Sequence, residues 1–455
     1  MKPPRLRRGQ IRGLNYRMDI VILGAGFSGL SAAYHLQQLG LECEVYEKEE
    51  RVGGVCRTEI KEGYTFDHCG HLLHFRDSGI RKLIQNLIGD QLSNHTRQAW
   101  IFSKGVYTRY PFQSNLYGLP KEVIEECLLG FIEARNTKHE ARSTNFEDWI
   151  YAHFGKGIAK HFMIPYNRKL WTVPPRELTT DWMGRFVPQV SLKEILHGSL
   201  IDSKTQLGYN VTFDYPKRGG IESVALALAR KVQGIHTQKK AIRILLSSRY
   251  GRKQRGAHHK IRFEGGFDRE FQTLISTIPL PELIRKVEGV PERVRKAAEN
   301  LRHTSILNLC FVIDRPKVSE KHWVYVPEER FPFYRIGFPS NFSPYSTPKG
   351  TSSITVEVSY RRRKPTSVVD RVLKGLREMD LIKRGDKILF HHVIPIPYAY
   401  VIYDQHYKPS MKIIQGYLKG KGIHSIGRFG GWQYTSIEDV ILEGKETAEK
   451  ITLNR

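Results

Sequence analysis

The sequence predicts an α/β protein: a Rossmann-like nucleotide-binding domain, an inserted helical domain, and a mixed antiparallel β-sheet domain for the substrate. Three observations predict it. A strand, a glycine-rich turn and a helix open the fold; amphipathic helical patterns follow; strand patterns gather between Thr304 and Val358. The 455 residues leave room for at least two domains, and 40% hydrophobic with 26% charged residues excludes a disordered chain. No run approaches the roughly eighteen apolar residues of a spanning helix. The cysteines (Cys43, Cys56, Cys69, Cys127, Cys310) form no C-x-x-C pair. That argues against a metal module and for reduced thiols in a cytoplasmic setting.

The elements follow in order. Asp19–Leu23 is a short β-branched strand, Gly24-Ala25-Gly26-Phe27-Ser28-Gly29 a tight turn, Leu30–Leu39 a helix, and Glu42–Tyr46 a second strand ending at Glu47. Glycines there let a pyrophosphate approach the helix N-terminus, and Glu47, 21 residues after Gly26, suits ribose hydroxyls. Ile80–Ile88, Pro120–Arg135 and Phe146–Phe162 read as amphipathic helices, the last with Thr144 and Asn145 as caps. A hairpin, Ala99–Phe102 and Val106–Tyr110, turns at Lys104-Gly105. Ile306–Ile313 and Ser353–Val358 are strands, and Glu438–Ile451 is a closing helix.

Lys+Arg number 72 against 46 Asp+Glu, a net charge of +26. Such a surface concentrates anions. The denser runs, Lys239–Arg262 and Arg361–Lys364, lack aromatic interleaving, so no nucleic-acid partner is expected. The first seventeen residues hold six cations, no acid and no apolar segment. They read as a basic tail rather than a secretory signal, with Met18 as the expected start.

Further segments separate flavin from nicotinamide. Arg51-Val52-Gly53-Gly54-Val55-Cys56-Arg57 resembles the FAD-binding extension of the amine oxidase-like flavoproteins (a GR2-type arrangement). Phe66-Asp67-His68-Cys69-Gly70-His71, Tyr215–Gly220, Leu274–Pro279 and Gly427-Arg428-Phe429-Gly430-Gly431-Trp432 resemble later parts of that FAD domain. The implied FAD contacts are Gly24, Gly26, Phe27, Ser28, Gly29, Glu47, Gly53, Gly54, Arg57, Gly70, His71, Arg428 and Tyr434. The implied domains are a tail, 1–17; an FAD domain, 18–75, 211–300 and 420–455; a helical flap domain, 76–210; and a sheet domain, 301–419. No metal site is expected.

Tyr110-Pro111-Phe112-Gln113-Ser114-Asn115, the block Gly155–Pro174, Trp323–Glu328, Pro332–Arg335 and Ser340–Tyr345 resemble UDP-galactopyranose mutase of the eukaryotic type. The resemblance implies interconversion of UDP-galactopyranose and its furanose form. In that reaction N5 of reduced FAD attacks the anomeric carbon, and UDP leaves and returns. It implies a diphosphate-binding Arg335, hydroxyl donors at Tyr325, Tyr400 and Tyr434, Asn210 near the sugar–phosphate, and His71 on the flavin face. Tyr110, Phe112, Gln113, Asn167, Trp171 and Trp323 fall at nucleoside or flap positions, and Arg97 at a position that senses flavin state. Three departures stand out. A second diphosphate arginine falls on Phe186, with Arg185 one residue earlier, and two aromatic positions hold Phe342 and His74. The alternatives sharing the FAD domain are an oxidase of the protoporphyrinogen or amine oxidase type and a non-catalytic flavin protein. No second nucleotide-binding turn is present for NAD(P)H, which leaves transient docking or a separate reductase as electron source, and leaves room for a homo-oligomer.

Overall fold

The computed structural model describes residues 19–136, 144–203, 207–208, 210–247 and 259–454; the basic N-terminal tail lies outside them. Five parallel strands form one sheet in the order Ile423–Ser425, Thr273–Ser276, Ile20–Leu23, Cys43–Tyr46, Ile235–His236. Ile20–Leu23 is buried throughout, as a parallel strand covered by helices must be. The first helix runs Phe27–Gln38, three residues earlier than its apolar spacing predicts, because Gly26 is already its N-cap. It packs on the C-terminal helix Ile437–Leu453. That crossing is close because Gly444 has no side chain: a Cβ there would sit 2.7 Å from the Ser28 carbonyl oxygen.

A second sheet of seven strands runs Ile388–Ile402, Arg302–Ile313, Ser352–Tyr360, Arg335–Gly337, Trp323–Tyr325, Ala99–Ser103, Val106–Arg109. Its neighbours are antiparallel except Trp323–Tyr325 with Ala99–Ser103. The hairpin thus joins this sheet, its turn residues Lys104 and Gly105 at φ 55 and 79, as a two-residue turn between twisted strands requires. Val368–Glu378 covers one face with Val372 and Leu376. The edge strand Ile388–Ile402 has no counterpart in the sequence reading, since Pro395 and Pro397 argue against a strand interior; an edge position tolerates them.

The uninterrupted helix Phe146–Phe162 is corrected. The structure has Phe146–Ile158 with Gly155 at φ 72, then a wide π-helical turn Ala159–Met163, then Ile164–Trp171. The cause is the neighbouring helix Lys121–Asn136. A Cβ on Gly155 would lie 1.9 Å from the Gly130 oxygen, and one on Gly157 2.2 Å from the Glu126 oxygen. Close backbone contact overrides the periodic pattern, and the widened turn re-aims Phe162, which stacks on Phe112 at 5.1 Å and Tyr166 at 5.2 Å.

Candidate active site

At the C-terminal end of the parallel sheet, two glycine turns lie back to back. Gly24 has φ 99, and a Cβ on Gly29 would meet the Gly24 oxygen at 2.0 Å. Gly53 and Gly54 have φ 108 and 60; Gly53 N–H donates to Ala25 O at 2.8 Å, and a Cβ on Gly54 would lie 3.3 Å from Gly26 Cα. Glu47 is 6% exposed, its oxygens accepting from the N–H of Ala25 (2.8 Å) and Glu49 (3.0 Å). Gly427, φ 81, closes the third side with its N–H on Glu443, and a Cβ there would strike Ser28 Oγ at 2.3 Å. Arg57 braces the second turn, Nε donating to Gly54 O at 3.1 Å. Bare backbone, a helix N-terminus at Phe27 and a buried carboxylate fit the pyrophosphate and ribose of FAD.

Behind the second turn sits a knot of hydrogen bonds. Glu222 Oε2 accepts from Arg51 Nη1 and from Thr58 N–H, both at 3.1 Å, stapling the two ends of the turn. Thr58 Oγ1 donates to Asp67, which also accepts from the Tyr215 hydroxyl and Ile221 N–H.

One face of the seven-stranded sheet carries the second feature. Cross-strand partners point to the same face. The register aligns Asn308 with Glu357, Glu357 with Arg335, and Arg335 with Tyr325: a polar row across four adjacent strands. Glu357, 4% exposed, accepts from Arg335 Nη2 at 2.6 Å and from the Tyr334 hydroxyl. Gly70 brings the flavin-side loop alongside: a Cβ there would lie 3.6 Å from Arg335 Nη2. Around the row runs a chain of rings, with centroid separations Tyr110–Tyr325 5.1 Å, Tyr325–Tyr166 5.5 Å, Tyr166–Tyr334 6.3 Å, Tyr334–Tyr400 6.5 Å and Tyr400–Tyr434 5.8 Å. Arg428 lies 4.8 Å from the Tyr434 ring and donates to Thr435 O and Ala399 O, linking this cage to the Gly427 turn.

Burial opposes the charge on Arg335, but Glu357 and the surrounding phenols outweigh it and hold its pKa well above the arginine range. Burial raises Tyr110, Tyr325 and Tyr400, so their hydroxyls remain donors. His71 falls to about 3 through burial, then through Arg428 and Arg335. It is a neutral imidazole in a cationic site.

Acid is expected to destabilise the fold. Burial takes His68 and His322 to about 4 as well. An unfolded histidine titrates near about 6.5. Between about pH 6.5 and 4 the unfolded chain therefore binds protons that the folded chain refuses, and stability falls as pH falls. Asp67, raised to about 6 mainly by burial, works in the opposite sense but is one group against three histidines. Thermal melts should show Tm dropping by roughly 3 °C or more per pH unit in that window; a flat or rising Tm contradicts this.

The remaining predicted residues divide. Asn210 Oδ1 accepts from Arg97 Nη1 at 2.5 Å, and fully buried Arg97 lies 4.9 Å from the Tyr110 ring, so these three meet. Gln113 is buried and donates to Pro188 O. Phe112, Asn167 and Trp171 are enclosed, with Asn167 spanning Met163 O and Trp171 Nε1. Trp171 backs the cage, 5.6 Å from Tyr400, as wall rather than as exposed contact surface. Trp323 sits among Phe213 and His322. Phe186 packs 4.5 Å from Tyr434, whereas the side chain of Arg185 lies outside the described residues. Phe342 packs on Tyr215 and Phe213, and His74 faces Thr212 O. Sequence reasoning missed Glu357, Asn308, Tyr166 and Glu222. The one available signal was the alternation in Ser353-Ile354-Thr355-Val356-Glu357-Val358, which marks a polar strand face.

The sequence profile of the flavin containing amine oxidoreductases matches residues 27–452. An L-amino-acid oxidase of Crotalus adamanteus is 28% identical over 248 residues, 50% of this chain and 45% of that protein. The chain thus spans less than half the length of the first curated relative it matches. Coproporphyrinogen III oxidase of Bacillus subtilis is 21% identical over 329 residues, 67% of this chain and 69% of that one. Among solved structures, reduced UDP-galactopyranose mutase superposes with TM-score 0.90 and 27% identity, covering 96% of this chain and 94% of that chain. Putrescine oxidase bound to putrescine gives 0.64 at 18% identity, covering 96% and 99%, a likeness of fold. With the glycine cradle in place and the match running almost from end to end, this chain belongs to the flavin containing amine oxidoreductase family, and its cofactor is FAD.

Proposed function

We propose that the chain is a flavin-dependent nucleotide-sugar mutase, interconverting UDP-galactopyranose, or a related nucleotide hexose, and its furanose form. One observation carries the reading: a half-buried guanidinium, Arg335, fixed by buried Glu357 in a cage of phenols beside the Gly70 loop. The likeness to reduced UDP-galactopyranose mutase supports it. Reduced FAD, when bound, supplies the electron-rich centre that takes the sugar from its nucleotide.

This chain's residues do the rest. Arg335 grips the diphosphate with a planar fork whose orientation Glu357 sets. Tyr325, Tyr400 and Tyr434 donate hydroxyls to the same oxygens, and the rings exclude water, so the departing nucleotide stays close enough to recombine. Asn210, positioned by Arg97, serves the sugar–phosphate; Tyr110 and Gln113 serve the nucleoside. Arg185 is the proposed second cation, because Phe186 is committed to Tyr434. Gly70 and His71 lie along the flavin. NAD(P)H or another external reductant activates the enzyme without stoichiometric use.

The test is anaerobic incubation of dithionite-reduced protein with UDP-, GDP- and TDP-hexopyranoses, followed by separation of pyranose from furanose forms. Furanose product over many turnovers is expected. Absence of any furanose, with oxygen uptake by oxidised protein on an amine or porphyrinogen, would replace this reading with an oxidase.

A further inference from the structure

The chain carries 72 Lys and Arg against 46 Asp and Glu, and one turn concentrates four of the cations side by side. Strand Ser352–Tyr360 ends against Ser305 at the start of its partner Arg302–Ile313, and the chain continues as Arg361-Arg362-Arg363-Lys364. The last three are exposed. None of the four side chains forms an ion pair or hydrogen bond among the described residues. Arg302 lies at the same sheet end, where it takes up the carboxylates of Glu177 and Asp404.

The crowding has a cost. Burial and then the charges of Arg302 and Arg362 pull Arg361 below the arginine range. Arg362 adopts φ 65 and Ser367 φ 49, a left-handed backbone that ordinary side chains avoid. Like charges pressed together on such a turn gain from an external anion that neutralises them.

We propose that residues 361–364 form a docking surface for the anionic phospholipid headgroups of a membrane. Arg362, Arg363 and Lys364 are exposed, and the turn lines neither of the two described cavities, which favours an extended anionic surface over an enclosed small phosphate. It holds no aromatic ring for base stacking, which disfavours nucleic acid. A second copy of a chain with net charge +26 would be repelled. No helix among the described residues is long and apolar enough to cross a membrane, so the contact is peripheral and electrostatic. This inference stands apart from the flavin chemistry.

The test is co-sedimentation of the full chain with phosphatidylcholine vesicles, with and without phosphatidylserine. Salt-sensitive binding to the phosphatidylserine vesicles alone is expected. Arg362→Gln with Arg363→Gln should lower the partition constant by about fivefold for each cation removed, with circular dichroism and flavin absorbance unchanged. Lys82→Gln with Lys193→Gln, an equal loss of charge at exposed sites elsewhere, should change it less than about twofold. No binding to the anionic vesicles overturns the proposal. So does equal loss in the control variant, and so does retention by duplex DNA at a salt concentration that releases the vesicles.

Discussion

Replacing Arg335 by alanine is expected to lower kcat/KM for the nucleotide sugar by at least about a hundredfold while the protein stays yellow. The reason lies in the register. Arg335 stands between Glu357 and Tyr325 on adjacent strands, so its guanidinium faces the cage, whereas the glycine turns proposed to hold FAD belong to the other sheet. Removing it leaves Glu357 buried with its Tyr334 partner but without its cation, which costs stability as well. A second variant separates the two effects. Arg335→Ala combined with Glu357→Gln removes the stranded charge and should recover melting temperature but not turnover. Arg335→Lys keeps the charge without the planar fork and should fall in between. Loss of FAD from well-folded Arg335→Ala would remove the residue from the substrate side of the site.

Gly29→Ala should give the opposite pattern, a protein without flavin. The added Cβ would have to occupy space 2.0 Å from the Gly24 carbonyl oxygen, a backbone atom in the turn proposed to face the pyrophosphate. Either the turn or the helix Phe27–Gln38 must move, and both shape the cradle. The measurement is the flavin-to-protein absorbance ratio after purification and after reconstitution with excess FAD, with circular dichroism as the check on folding. Gly427→Ala, where a Cβ meets Ser28 Oγ at 2.3 Å and Ser28 Cβ at 2.9 Å and φ is 81, should also lose FAD, though less completely, because the hydroxyl can rotate away and only the milder Cβ contact and the left-handed backbone remain. Full flavin occupancy in Gly29→Ala would show that the turn has room the structure denies.

The α/β class and the flavin cradle were legible because their determinants are local. A strand, three glycines, a helix and an acid follow one another within 30 residues, and each glycine's need for a bare Cα is a property of the turn itself. The hairpin at Lys104-Gly105 was legible for the same reason. The substrate cage was not. Its row is assembled from Asn308, Tyr325, Arg335 and Glu357 by strand register, and register is invisible to a sequence with no partner to align against. Arg335 and Tyr325 could be singled out only through a resemblance, and Glu357, which that resemblance did not supply, was missed. The break at Gly155 was hidden because helical spacing continues through it; what interrupts the helix is the backbone of Lys121–Asn136, distant in sequence and adjacent in space.

The five-stranded sheet draws its edge strand from Ile423–Ser425, and its first helix rests on Ile437–Leu453. A ribosome delivers these segments after the strand and the helix that they cover. Until they emerge, the nascent Thr273–Ser276 strand has one open edge and the apolar side of Phe27–Gln38 faces water, the kind of surface that chaperones recognise. Flavin capture is thus expected only once these segments have emerged, and truncating the chain before Ile423 should strand it as a cofactor-free, chaperone-bound species.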